Sequence, residues 1–173
     1  MTTVIADRFA EGMSLARKAD YDRAHRLLAE CVIADPANYD YVDGLLLNLV
    51  RKMRLHGTPS EPVAKLRSAM LDAVEDKDWK EVLRLGPQSL AYNPWHKPTL
   101  LALLQACADQ GFEDAELRYL QMAFESGPSD VEINRLYTAA DWQGPTAGGG
   151  GPTGSSAPNA RDAELQSPDP RRR

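Results

Sequence analysis

From Val4 to about Ala140, apolar residues recur three and four positions apart in nearly every segment, the spacing that gathers them on one face of a 3.6-residue helix. Alternating apolar and polar stretches bounded by hairpin turns do not occur, so the pattern predicts an all-α fold. Turn-forming residues interrupt it at 18–20, 35–38, 56–59, 93–94, 110–111 and 127–128. The predicted helices therefore cover 4–18, 21–34, 39–55, 61–75, 78–92, 98–109, 113–126 and 129–140. Thr58 with Glu61, Asp78 with Glu81, and Ser129 with Glu132 have capping-box spacing, in which the two side chains satisfy otherwise unpaired N–H groups at a helix start. Gly86-Pro87 falls inside the fifth helix, where the missing N–H and the ring's steric demand predict a kink.

The pattern also repeats. YDRAHRLLAECVIADPAN (21–38) lines up with WKEVLRLGPQSLAYNPWH (79–96) and with FEDAELRYLQMAFESGPSD (112–130). Each opens on an aromatic residue, carries Ala or Val three positions later, continues as an apolar helix and closes on a proline. Pro94 and Pro128 are 34 residues apart, a spacing found in arrays of helix pairs.

These residues resemble the tetratricopeptide repeat (TPR) family, in which two antiparallel helices form each unit and successive units stack into a superhelix. In the first unit, 5–38, Gly12 and Ala24 look like the family's small residues, Leu15 and Leu28 its large apolar ones, and Pro36 its closing proline. The family's tryptophan and leucine of the first helix are Arg8 and Glu11 here, which suits an end cap. The middle unit, 63–96, is similar through Leu66, Trp79, Val82 and Pro94. In the last unit Leu100, Leu103, Gly111, Phe112, Ala115, Tyr119 and Pro128 carry the likeness. Residues 39–62 read as one long helix and a loop outside the period, since Pro36 and Pro94 are 58 residues apart. The combination DYDRAHRLLAECVIADPANYDYVDGLL, DWKEVLRLGP and NPWHKPTLLAL resembles, more narrowly, bacterial, planctomycete-like TPR proteins that continue into further repeats. The helix pattern at 131–140 starts like another unit and stops, so the chain is expected to be a shortened relative of that group.

The resemblance implies an α-solenoid over 1–141 whose first helices line a concave groove that receives an extended peptide or an amphipathic helix of another protein. Aligned in this way, Phe9, Met13, Arg17, Leu47, Val50 and Arg51 are the expected partner-binding residues, with Lys97, Leu101 and Gln105 on the last unit. Phe9, Met13, Leu47 and Leu101 fit ordinary core positions equally well. The clamp with which some family members hold acidic C-terminal tails is not matched: its places hold Phe9, Met13 and Gly44, and only Lys97 agrees. An apolar or mixed partner segment is therefore expected.

Composition narrows the picture. Residues 142–173 are rich in Gly, Pro and Ser with almost no large apolar side chains, so they are expected to form a disordered tail. The net charge is −5, with 16 basic against 22 acidic residues up to Asp141, a poor match for nucleic acid. The first residues, MTTVIADRFAEG, lack the basic start and continuous apolar stretch of a secretory signal or membrane anchor, and the two cysteines, Cys31 and Cys107, each lie among helix-forming apolar neighbours. Both features point to a reducing, cytoplasmic setting.

Catalytic alternatives are thin. His25, His56 and His96 lack a second ligand at metal spacing, and neither cysteine has a neighbouring base. The carboxylates at 75–81 and 113–116 sit where helix ends favour them. No Gly-x-Ser-x-Gly elbow occurs, and no glycine precedes a lysine as a phosphate loop requires. Trp79 and Trp95 suit packing better than base stacking. The expectation is a non-catalytic scaffold or adaptor without metal or cofactor. The alternative is a regulatory or targeting part of a longer enzyme or secretion-related protein.

Overall fold

The computed structural model describes residues 2–57 and 63–140. The Thr58–Glu61 pair and the expected tail over 142–173 lie outside the described residues. Eight helices and no strand occur among the described residues: α1 (Thr2–Arg17), α2 (Tyr21–Ala34), α3 (Tyr39–His56), α4 (Ala64–Glu75), α5 (Trp79–Leu90), α6 (Lys97–Gln110), α7 (Glu113–Ser126) and α8 (Val131–Ala139). The all-α expectation holds, and the spacing of apolar residues located each helix to within about three residues.

Local chemistry sets several of the ends. Asn38 begins α3 by accepting a hydrogen bond from the Tyr41 N–H at 3.3 Å, and Asp78 begins α5 by accepting from Glu81 N–H at 3.1 Å. The reciprocal arm of that capping box is not made: the Asp78 N–H donates instead to the Ala73 carbonyl at 2.8 Å, and the Glu81 carboxylate accepts from Arg84 at 2.5 and 2.6 Å. The start of α8 differs from the sequence expectation. Asp130 rather than Ser129 is the cap, accepting from the N–H groups of Glu132 at 3.1 Å and Ile133 at 3.2 Å. A carboxylate complements the positive end of the helix dipole more strongly than a hydroxyl does. Gly111 closes α6 in the left-handed conformation at φ 71°, where a side chain is strained.

Short connections fold consecutive helices back on each other, so α1 packs on α2, α2 on α3, α4 on α5, α5 on α6, α6 on α7 and α7 on α8. Two further contacts join alternate helices, α1 with α3 and α4 with α6. Longer-range contacts set α2 against α5 and α3 against α7. The core formed in this way includes Leu28, Val42, Leu45, Leu46, Leu49, Val82, Leu90, Leu100, Leu103 and Met122, each fully buried.

One approach needs a glycine. A Cβ on Gly86 would stand 2.4 Å from Leu103 Cδ2, so the missing side chain is what lets α5 and α6 meet there. The helix runs on through Pro87 to Leu90.

Candidate functional site

The alternate-helix contacts place the expected partner-binding residues. On α1, Phe9 and Met13 reach across to α3: the Phe9 ring lies 4.9 Å, centroid to centroid, from Tyr41. A Cβ on Gly44 would meet Phe9 Cε2 at 2.8 Å and Met13 Sδ at 3.1 Å. Phe9, Met13 and Val50 are half-buried against the core, whereas Arg17, Leu47 and Arg51 are exposed. On α6, Leu101 is half-buried and Gln105 is exposed. Lys97 is already engaged, with its Nζ donating to Asp130 at 2.7 Å and pairing with Glu132 at 3.0 Å. These carboxylates hold the Lys97 ammonium above its ordinary pKa. The structure thus brings Phe9 and Met13 together over Gly44 and ties Lys97 to the start of α8.

Among the described residues, two clefts bear on a site. The first, of about 220 Å³, lies between α4 and α6. Met70, Leu71, Val74, Pro98 and Ala102 form its apolar walls, and Arg67, His96 and Thr99 supply its polar groups. His96 Nδ1 is hydrogen-bonded to Thr99 Oγ1 at 2.9 Å, and Thr99 Oγ1 meets the buried Ser89 Oγ at 3.1 Å. Burial and, second to it, the Arg67 charge hold His96 below the usual imidazole pKa. Leu71 stands at the rim, 57% exposed.

The second cleft, of about 490 Å³, is lined by α2, α3, α4 and α5 residues and is polar. In it Lys52 Nζ donates to Asp22 at 2.5 Å, and Arg26, Gln88 and Tyr92 face the same space. His25 sits in this wall with Nδ1 buried and unpartnered. Desolvation, with a smaller contribution from the Lys52 charge and against the pull of Asp22, pushes the imidazole down to about 4.

Sequence reasoning did not assign Arg67, Leu71 and Val74 to a binding face. Their i, i+4, i+7 spacing on α4 was the available signal. In this helix the family likeness rests on Leu66 alone, which left the neighbouring face unassigned.

The reactive groups are quiet. Cys31 and Cys107 are free and buried, and burial raises both thiols, Cys107 to about 12. A protonated thiol is a poor nucleophile. Among the described residues no three His, Cys, Asp or Glu side chains gather as metal ligands, and no helix is long and apolar enough to cross a membrane. Comparison of the chain with protein-family models, with curated proteins and with solved structures gave no match.

Proposed function

We propose that the chain is a non-catalytic interaction module, built as a TPR-like α-solenoid, that holds a peptide or helix of another protein along the face formed by its first helices. The observation that carries this reading is the open apolar cleft between α4 and α6, with Leu71 held out at its rim. At about 220 Å³ it is smaller than the several hundred Å³ usual for a small-molecule site, and its size suits one or two side chains of a polymer. The α1–α3 contact supports the same reading at the other end of the chain, where Leu47 and Arg51 stand exposed on α3, three and seven residues after the Gly44 that Phe9 and Met13 cover. The two buried, unpaired thiols suit a cytoplasmic setting for such a scaffold or adaptor.

Site-specific photo-crosslinking in the native cell tests the proposal. A photoreactive phenylalanine analogue in place of Leu47 or Leu71 is expected to capture one defined protein, and the same analogue at the exposed Ile33 of α2 is expected to capture none. Arg51→Ala and Leu47→Asp should then reduce capture several-fold with the thermal midpoint unchanged, because both side chains are exposed. Equal capture from all three positions, or capture indifferent to both substitutions, would overturn the groove reading.

A further inference from the structure

Within the α4–α6 cleft, one charge is left without a counter-charge. Arg67 Nε is shielded from solvent and has no hydrogen-bond acceptor among the described residues. None of the eight lining residues is acidic. Two other cationic side chains near a groove differ: Lys97 is matched by Asp130 and Glu132, and Lys52 by Asp22. A guanidinium N–H held in an apolar wall carries a desolvation cost that only an acceptor brought from outside can offset. His96 does not fill that role: its Nδ1 is bonded to Thr99, and Arg67 Nε meets no acceptor among the described residues. The apolar part of the cleft continues from Arg67 along Met70, Leu71 and Val74, so an acceptor attached to aliphatic surface fits it.

Resting on the interaction-module reading, we infer that the α4–α6 cleft recognises a partner segment in which a Glu or Asp side chain is flanked by branched apolar residues. The carboxylate accepts from Arg67 Nε, and the neighbouring aliphatic group covers Leu71 and Val74. This sharpens the mixed or apolar partner expected from the sequence: the acid is a side chain within the segment, read on α4 and not at Lys97.

The test is an NMR titration of the full chain with acetyl-Leu-Glu-Leu-amide, acetyl-Leu-Gln-Leu-amide and sodium acetate. The Glu peptide is expected to move the Arg67 Nε–H and Ala102 amide resonances and to bind about tenfold more tightly than the Gln peptide, as a charge-assisted hydrogen bond implies. It should also raise the His96 pKa, because a carboxylate beside Arg67 cancels the charge that depresses it. Arg67→Met should erase the Glu preference. Leu71→Glu, at an exposed position that tolerates change, should erase it too by supplying an internal carboxylate one turn from Arg67. Equal affinity for the Glu and Gln peptides, with both moving Ala102, would sink the carboxylate inference and leave the groove reading standing. Acetate binding as tightly as the Glu peptide would reduce the site to a small-anion site and overturn the inference. No shift at the cleft with any probe would remove both the inference and this cleft from the groove reading.

Discussion

His25 is held in the wall of the polar cleft with Nδ1 unpartnered, and its folded-state pKa lies near 4 against an ordinary 6.5. Between those values the unfolded chain binds a proton that the folded chain refuses, so stability rises with pH across the window. It is fully present above about pH 6.5 and is lost as pH falls towards 4, with no further loss from this group below. The shift corresponds to about 3 kcal/mol. Urea unfolding at pH 7 and pH 4.5 should therefore show a drop that His25→Leu largely removes; an equal drop in the variant would assign the acid sensitivity to other groups. Tyr119 offers the opposite case. Its ring is fully buried, its hydroxyl has no partner, and burial pushes its ionisation far up. Tyr119→Phe removes an unsatisfied polar atom and keeps the packing, so it should stabilise the fold by about 1 kcal/mol in the same measurement.

Between elements, two contacts depend on a particular residue. At the α5–α6 crossing, Gly86→Ala gains helix propensity of about 1 kcal/mol but drives a methyl into the fully buried Leu103. Overpacking should win, with a net loss of about 2 kcal/mol by chemical denaturation. Gly86→Ala with Leu103→Val should recover part of it, a non-additivity that marks the two sites as touching. At the α3–α7 crossing, Arg118 Nε donates to Asp43 at 2.6 Å, with Arg118 only 6% exposed and its Nη1 unsatisfied. Removing the acid strands a buried charge, whereas replacing the base by an apolar side chain does not. Asp43→Ala should therefore destabilise by about 3 kcal/mol and Arg118→Met by clearly less; the reverse order in urea unfolding would refute this account. The helices themselves were legible in the sequence, since periodicity and turn residues fix them locally. The pairing of residues 43 and 118 was not, because no local pattern distinguishes a surface arginine from one drawn beneath a distant helix. The cap of α8 follows the same logic: capping-box spacing favours Ser129, but the neighbouring Asp130 competes with a stronger acceptor.

On the scale of the whole helical region, the α2–α5 and α3–α7 contacts determine how cooperatively it unfolds. In a stack where each unit touches only its neighbours, units open in sequence and terminal ones fray first. Here α3 reaches across to α7, so opening the first three helices uncovers Arg118 and the apolar surface beside it. The motif that carried the repeat likeness was local, which is why the sequence showed the pairs but not this bridge, nor the α4 face beside Leu66. The bridge predicts that amides in α2 and in α7 exchange with the same opening free energy under native conditions, as parts of one cooperative unit. Asp43→Lys places a second cation against Arg118 and should split that unit: α2 amides would exchange at lower free energy, while α7 amides keep most of their protection through α6. Hydrogen exchange followed residue by residue decides the matter. Unequal opening free energies already in the unsubstituted chain would mean that the α3–α7 contact does not couple the two ends.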